Sequence, residues 1–168
     1  EVVKNFNSYK KLIRPWNFPP SCPGQGVRFL EIKGTKIAVI NLIGRVFMGL
    51  ADCPFQLMQK EIKDLQKKAD IILIDIHAEA TSEKQALAWM LDGQVTAVFG
   101  THTHVQTSDA RLLPQKTAFI SDIGMTGAQN SILGMEKDPI IKRFLNQMPI
   151  KFHPPETDQI IFNACKIN

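Results

Sequence analysis

Two short, almost continuous apolar runs lie in the middle of the chain, at 71–76 and 95–99. Runs of this length and character are typical of strands that are buried on both faces of a parallel sheet. A helical pattern of apolar residues precedes the first run, beginning at Pro54 and ending near Ala69. Proline is well tolerated at the first helical position, because its missing N–H would have no partner there. The pattern therefore predicts a helix from Pro54 and two buried strands after it.

A second helix is expected between the two buried strands. Ser82, followed three residues later by Gln85, resembles a capping box, and Gly93 supplies a stop signal. The other predicted elements are strands at Val27–Ile32, Thr35–Leu42, Arg111–Leu113, Thr117–Ile120 and Gln159–Cys165, and a helix at Pro139–Met148. Hairpins are expected around Gly34 and Pro114. Alternating strands and helices favour right-handed crossovers, so the fold class is α/β, with a mainly parallel core sheet and added antiparallel strands.

Length and composition fit one globular domain. The chain has 168 residues, 44% of them hydrophobic and 21% charged, and one domain commonly takes about 100–200 residues. The apolar runs are too short for a membrane span, which takes about 20 apolar residues, and the N-terminus lacks the layout of a signal peptide. The three cysteines are far apart and odd in number, which indicates neither a disulfide framework nor a zinc knuckle. We therefore expect residues 1–168 to form a single domain in the cytoplasm, without membrane contact.

The net charge is weakly positive, at +4. The densest basic stretch holds Lys4, Lys10, Lys11 and Arg14, with Phe6, Tyr9 and Trp16 among them. Basic residues interleaved with aromatic ones can bind single-stranded nucleic acid, whereas most charge runs simply face water. A solvated surface is the favoured interpretation, and RNA binding is the alternative.

Three of the four histidines follow predicted strands. His77 comes directly after the run at 71–76, and both His102 and His104 follow the run at 95–99. Sites in open α/β sheets form beyond the carboxyl ends of the strands. In an extended segment, a spacing of two residues points both side chains to one side, and imidazole is a good ligand for Zn, Fe, Mn or Ni. We therefore expect a shared metal site rather than three separate hydrogen-bonded loop histidines.

Three carboxylates and one arginine also lie in or shortly after predicted strands. Asp75 or Glu79 can accept the second N–H of a metal-bound imidazole, although Glu79 can equally be an acid at a helix start. Asp122 follows a predicted strand and can face the same crevice. Arg45 also follows a strand, where it can contact a phosphate or a structural acid, and the structural ion pair is favoured. The roles of these four residues stay open at this point.

The number of metal ions also stays open. Three imidazoles suffice for one tetrahedral zinc ion with a free position for water, as in hydrolytic sites. A two-metal site needs, in addition, a bridging acid and more oxygen ligands. The residues alone indicate metal-assisted hydrolysis.

Several sequence blocks carry a resemblance to a known family. The main blocks are 75–84 (DIHAEATSEK) and 100–107 (GTHTHVQT), and the supporting ones are 38–48 (AVINLIGRVFM), 52–55 (DCPF) and 121–127 (SDIGMTG). In this order they resemble the calcineurin-like metallophosphoesterases and, within these, the bacterial YmdB-type branch. The match runs along most of the chain, and the set of blocks is far more specific than the Gly-x-His-x-His motif alone.

The resemblance implies a layered α/β phosphoesterase fold with a dinuclear centre. It implies two divalent or iron-type metal ions, with Fe or Mn favoured over Zn, and hydrolysis of phosphodiesters such as 2′,3′-cyclic nucleotides by metal-activated water. Carried over by position, His77 and His102 would bind one metal ion and His104 the other. The implied partner is a small phosphodiester or nucleotide substrate.

The sequence lacks the metal-ligand motifs that come first in the family pattern. The family also has a strand-end Asp, a Glu-Asn pair whose Glu bridges the metals, and an Asn-His pair whose His is the expected proton donor. None of these motifs occurs among residues 1–168, and the family order would place them before residue 1. The resemblance therefore implies the C-terminal portion of a metallophosphoesterase domain, without a nameable catalytic acid and not necessarily active alone.

Two other functions stay open beside the metal-dependent phosphodiesterase. One is a mononuclear zinc hydrolase that uses His77, His102 and His104. The other is a non-catalytic regulatory or RNA-binding module on the same fold. Strand edges exposed by a missing N-terminal part would seek partners, so a homo-oligomer is among the assemblies to be expected.

Overall fold

The structure describes only part of the basic stretch near the N-terminus. The computed structural model describes residues 6–9 and 11–167, so Lys4 and Lys10 lie outside the described residues. Arg14 is half-buried and donates from Nη1 to the carbonyl oxygen of Pro15 at 2.7 Å. This arginine therefore helps to hold its own loop, and RNA binding by the stretch stays the alternative to the predicted solvated surface.

The described residues form eight strands, three α-helices and one 3-10 helix at Phe6–Ser8. The α-helices are α1 (Pro54–Lys68), α2 (Thr81–Met90) and α3 (Lys137–Asn146). The strands are β1 (Val27–Ile32), β2 (Thr35–Ile43), β3 (Ile71–His77), β4 (Ala97–Thr101), β5 (Arg111–Leu112), β6 (Ala118–Ile120), β7 (Thr126–Ala128) and β8 (Ile160–Phe162).

Six of these strands form one sheet, in the order β1-β2-β3-β4-β6-β5. Strands β2, β3, β4 and β6 run parallel, whereas β1 pairs with β2 and β5 pairs with β6 in the antiparallel sense. Gly34 adopts a φ of 81° in the turn between β1 and β2, a conformation that glycine takes at little cost. The predicted α/β class, with its mainly parallel core sheet and its two hairpins, is confirmed.

Helix α1 matches the helical pattern in the sequence. Pro54 occupies its first position, and the apolar residues Met58, Ile62 and Leu65 are buried. At the other end, the Ala69 N–H donates to the Leu65 carbonyl oxygen at 3.0 Å, and the backbone of Ala69 is extended. Burial of the apolar stripe against the sheet therefore fixes the position of α1.

Helix α2 begins differently from the prediction. Its N-cap is Ala80, which makes no side-chain cap hydrogen bond, and Ser82 lies within the first turn. The predicted capping box of Ser82 and Gln85 is wrong, because a cap residue must precede the first turn with a non-helical backbone. The buried residues of α2 are Glu83, Lys84, Leu87 and Ala88. Two charged side chains thus take core-facing positions.

The core lies on the face of the sheet that α1 and α2 cover. Ile40, Ile74 and Val98, one from each central strand, are fully buried there and belong to one hydrophobic cluster. Successive side chains of a strand point to opposite faces, so the residues between them lie on the second face, which is half-buried. Asp75 and His77 stand at the carboxyl end of this second face.

The last third of the chain differs from the prediction in detail. Helix α3 begins and ends two residues earlier than the predicted 139–148. Strand β8 covers only part of the predicted 159–165 and pairs antiparallel with β7. The sequence does not predict β7, because the glycines around it favour a turn and its pairing partner is distant in the chain.

No helix within the described ranges is long and apolar enough to cross a membrane. Helix α1 has 15 residues. The three cysteines, Cys22, Cys53 and Cys165, are free thiols. That residues 1–168 form a single domain stays a prediction.

Candidate metal centre

Three parallel strands bring the candidate residues to one edge of the sheet. Asn41 of β2 lies beside Asp75 of β3, and His77 of β3 lies beside Thr101 of β4. Since β3 alternates buried and half-buried residues, Asp75 and His77 share the second face of the sheet. His77 lies at the same edge of the sheet as the start of the segment that follows β4 at His102, as expected from the sequence.

A line of hydrogen bonds fixes the ring of His77. Asn41 Nδ2 donates to Asp75 Oδ2 at 2.7 Å, and Thr101 Oγ1 donates to Asp75 Oδ1 at 2.8 Å. Because the hydroxyl proton of Thr101 points at Asp75, the oxygen of Thr101 accepts from His77 Nδ1 at 3.0 Å. The tautomer assigned from these partners carries its proton on Nδ1 and leaves the Nε2 lone pair of His77 free.

His102 lies against this free nitrogen. Its Nδ1 is 3.1 Å from His77 Nε2, and the two rings meet edge to face, with centroids 4.9 Å apart and planes at 83°. The second nitrogen of His102, Nε2, is 2.9 Å from Glu79 Oε2. Asp75, Thr101, His77, His102 and Glu79 therefore form one continuous line of contacts.

Burial controls the charge of these groups. It raises the pKa of the Asp75 carboxyl, although hydrogen bonds from Thr101 and Asn41 partly oppose the rise. Burial also lowers the pKa of His77, and the neighbouring His102 lowers it further. His77 is therefore neutral near pH 7, which is the form of imidazole that can bind a metal ion.

The pair of His77 and His102 fits a metal ion as two of its ligands. With metal–nitrogen bonds of about 2.0–2.1 Å, two nitrogens on one ion lie roughly 3.0–3.4 Å apart, which matches the 3.1 Å between His77 Nε2 and His102 Nδ1. Thr101 and Glu79 would then accept the second N–H of each ring, as partners of metal-bound imidazoles commonly do. Within residues 6–9 and 11–167, no group of three His, Cys, Asp or Glu side chains is placed to hold an ion. The described residues thus offer two nitrogens that would fit one ion and not a complete coordination sphere.

His104 is not part of this line of contacts. Its side chain is exposed, and its Nδ1 is 3.1 Å from the carbonyl oxygen of Leu133. The prediction assumed an extended segment. The φ angles are 120° at His102 and 67° at His104, so the segment is not extended. The spacing of two residues therefore does not turn both rings to one side, and the single site of three imidazoles is not formed. Metal binding by His104 stays a prediction.

The contacts distinguish between the two roles considered for Glu79. Helix α2 begins at Thr81, and the acid in its first turn is Glu83. Glu79 lies before the helix and contacts the imidazole of His102 instead. Asp75 reaches His77 through the hydroxyl of Thr101, which lies between them.

Asp122 is buried behind the histidine segment, with 1% of its surface exposed. Its Oδ2 accepts from Lys84 Nζ at 3.2 Å and from the Thr103 N–H at 2.9 Å, and its Oδ1 accepts from the Gly124 N–H at 2.9 Å. Burial alone would raise the pKa of Asp122, but these donors outweigh it and lower the pKa. Asp122 therefore does not face the crevice, contrary to the expectation from its position after a strand.

Sequence reasoning missed Glu83 and Lys84. The carboxylate of Glu83 accepts from the backbone N–H of Arg45 at 2.9 and 3.1 Å and from that of Val46 at 3.3 Å. A signal for both residues exists in the sequence, because the apolar stripe of α2, extended back by one turn, falls on positions 83 and 84. Charged residues in an inward-facing stripe indicate buried partners.

The structural ion pair favoured for Arg45 is not formed among the described residues. The side chain of Arg45 is exposed, and only its backbone N–H is held, by Glu83. Gly44, just before it, leaves no room for a side chain, since a Cβ there would overlap Glu83 and Ala78. Glu83 thus anchors the loop after β2 through its backbone.

Known proteins resemble this chain over nearly its full length. Residues 1–168 match the family described as YmdB-like protein. A protein of Bacillus subtilis (strain 168) named 2′,3′-cyclic-nucleotide 2′-phosphodiesterase is 48% identical over 152 residues, which are 90% of this chain and 58% of that protein. The chain spans about half the length of the curated relatives it matches.

Two solved structures share the fold. The crystal structure of a hypothetical protein from Thermus thermophilus has a TM-score of 0.84 at 41% identity, and the match covers 92% of this chain and 62% of that one. The crystal structure of a novel phosphatase from Mycoplasma pneumoniae has a TM-score of 0.81 at 33% identity, and the match covers 92% of this chain and 57% of that one. The arrangement of strands and helices described above is therefore that of these proteins.

Proposed function

This chain belongs to the YmdB-like protein family, and from that membership we propose that it supplies histidine ligands to a metal-dependent phosphodiesterase acting on 2′,3′-cyclic nucleotides. The resemblance that the sequence motifs indicate is confirmed by the family match. The proposed activity is the one that the name of the Bacillus subtilis relative states. The remaining metal ligands and the proton donor are proposed to come from residues outside 1–168.

The contact between His77 and His102 is the observation that carries the proposal. Two half-buried imidazoles lie 3.1 Å apart at the carboxyl edge of the sheet. The outer nitrogen of each ring already has an oxygen partner, Thr101 for His77 and Glu79 for His102. The inner nitrogens, His77 Nε2 and His102 Nδ1, are joined by a hydrogen bond, and one metal ion bound to both would take the place of its proton.

The ligands are assigned as the family resemblance implies. His77 and His102 would hold one ion, and His104 would hold the other, with Fe or Mn expected and Zn as the alternative. When bound, such ions lower the pKa of a coordinated water and stabilise the negative charge that develops on the phosphoryl oxygens.

The neighbouring residues keep the imidazoles in the required form. Asp75 and Thr101 hold the proton of His77 on Nδ1, so that Nε2 stays a lone-pair donor. The carboxylate of Glu79 accepts a hydrogen bond from Nε2 of His102, and this contact holds a proton on that outer nitrogen. These contacts orient both rings before a metal ion arrives, which reduces the cost of ordering them on binding.

The test is metal binding and turnover in a His102→Ala variant. In the natural protein, including the residues outside 1–168, we expect Mn²⁺ to bind this variant at least about 10-fold more weakly, because one of two adjacent ligands is lost. His153→Ala is the matched control, since His153 is exposed and lies outside the line of contacts. Hydrolysis of a 2′,3′-cyclic nucleotide with Mn²⁺ or Fe²⁺ is then measured for the natural protein with the same two substitutions. Full turnover in the His102→Ala protein would refute the assignment.

A further inference from the structure

We propose that Lys84 and Asp122 are positioning residues of the candidate metal centre, which hold the segment 102–104 so that His102 lies against His77. The inference rests on the proposed function and deepens it. It concerns two side chains that touch neither imidazole and act through the backbone between the two histidines of that segment.

The carboxylate of Asp122 reaches the middle of this segment. Its Oδ2 accepts the N–H of Thr103 at 2.9 Å, and Thr103 is the residue between His102 and His104. Its Oδ1 accepts the N–H of Gly124 at 2.9 Å. One buried carboxylate thus ties the backbone after β4 to the backbone after β6.

The tied segment has an unusual backbone conformation. The φ angles of His102 and His104 are 120° and 67°, in the region that side chains other than glycine rarely adopt. Such conformations persist only where the surrounding contacts fix them. Asp122 fixes Thr103 from behind, and the N–H of Met125 donates to the carbonyl oxygen of His104 at 3.1 Å. The conformation that directs His102 at His77 therefore depends on contacts outside the segment.

Lys84 makes the burial of this carboxylate possible. A buried carboxylate without a counter-charge is costly, and Lys84 Nζ lies 3.2 Å from Asp122 Oδ2, with both side chains 1% exposed. The lysine comes from the first turn of α2 and passes close to β4 at Gly100. A Cβ at Gly100 would lie 2.7 Å from Lys84 Cδ and would also overlap the carbonyl oxygen of Ser121. The glycine of the Gly-x-His-x-His motif thus leaves the space that the lysine occupies.

Two double substitutions separate positioning from a purely structural role. Lys84→Met with Asp122→Asn removes both charges but keeps one oxygen that can accept an N–H. Lys84→Met with Asp122→Leu removes the charges and every acceptor. Neither double variant leaves an unpaired buried charge, which single removal of one partner would do.

The first readout needs no metal and no activity. The centroids of the His77 and His102 rings are 4.9 Å apart, so the natural chain should show nuclear Overhauser effects between their ring protons. We expect these signals to be weakened in the asparagine variant and lost in the leucine variant. The second readout is the Mn²⁺ affinity of the natural protein, including the residues outside 1–168, which we expect to fall roughly 10- to 100-fold in the leucine variant and less in the asparagine variant.

Glu83→Gln is the matched control. Glu83 is buried in the same helical turn but holds the backbone of Arg45 and Val46 on the other side of β3. We expect this variant to lose stability in urea while the ring-to-ring signals and the Mn²⁺ affinity stay unchanged.

The outcomes are distinct for the two claims. A folded leucine variant with unchanged ring signals would overturn the positioning role. If the leucine variant fails to fold, the asparagine variant is the test. Unchanged ring signals and an unchanged Mn²⁺ affinity in the asparagine variant would also overturn the positioning role. If the natural protein, including the residues outside 1–168, binds no Mn²⁺, the proposed function fails, and the ring signals of the variants still test the positioning role.

Discussion

Replacing Thr101 with valine removes the hydroxyl that joins Asp75 to His77 while it keeps the shape of the side chain. In the natural chain, this hydroxyl donates to Asp75 Oδ1 at 2.8 Å and accepts from His77 Nδ1 at 3.0 Å. The variant therefore leaves one carboxylate oxygen and one ring N–H without their partner. The tautomer of His77 is then no longer fixed from that side.

The size of the effect follows from these two contacts. A hydrogen bond contributes about 1 kcal/mol to stability, or about 1.5–3 kcal/mol where one partner is charged. Because Asp75 and His77 are half-buried, water can replace part of what is lost. We therefore expect a loss of about 2–3 kcal/mol in the free energy of unfolding. At about 2–4 °C per kcal/mol for a chain of this size, the melting temperature should fall by about 4–12 °C.

Two measurements check the Thr101→Val prediction. Calorimetry gives the melting temperature, and long-range proton–nitrogen spectra of the imidazoles show which nitrogen of His77 carries the proton. Thr96→Val is the control, because Thr96 Oγ1 accepts the Ile72 N–H at 3.1 Å near the opposite ends of the strands. We expect the control to lose stability without any change in the His77 tautomer. An unchanged melting temperature together with an unchanged His77 spectrum in Thr101→Val would refute the reasoning.

Two further substitutions test the surroundings of the site. Gly100→Ala should lower the free energy of unfolding, measured in urea, by about 3 kcal/mol or more, because its Cβ would overlap the Ser121 carbonyl oxygen. Gly49→Ala is the control and should change the free energy of unfolding little, because no atom lies within 4 Å of its Cβ. Equal effects of the two substitutions would contradict the explanation. Burial favours a higher pKa for Asp109, but hydrogen bonds from Ser121 and Thr107 outweigh it and lower the pKa. The stability that this group contributes is present above its unfolded pKa of about 4 and is lost as the pH falls through the lowered folded pKa. Asp109→Asn should therefore be less stable than the natural chain at about pH 6, and the difference in urea midpoint should shrink towards about pH 3; a constant difference would argue against this role.

The parallel core could be predicted because its signals are local. The buried runs that become β3 and β4 are continuous in the sequence, and each is preceded by a helix whose apolar spacing is visible. Strand β7 could not be predicted, since three residues pair with β8 only through contacts between distant parts of the chain. The start of α2 was misplaced, because Ser82 has the chemistry of a cap but lies inside the first turn.

The candidate site shows the same division between local and distant signals. The meeting of His77 with His102 follows from two neighbouring strand ends, which the sequence indicates directly. The orientation of His104 does not follow, because spacing alone carries no information about a positive φ. The pairing of Lys84 with Asp122 joins residues that are 38 positions apart. Only the three-dimensional arrangement of α2 against the strand ends brings these two charges together.

The strand order also has a consequence for the way the chain folds. Strands β1 to β4 are neighbours in the sheet in the same order as in the chain. Each new pairing closes one hairpin or one helical crossover, so the entropy cost of loop closure stays small at every step. Such a core can assemble from its N-terminal side while the chain is still being synthesised. The strand ends that lead to His77 and His102 would then form first, and the segment 102–104 would take its final conformation only when Asp122 arrives.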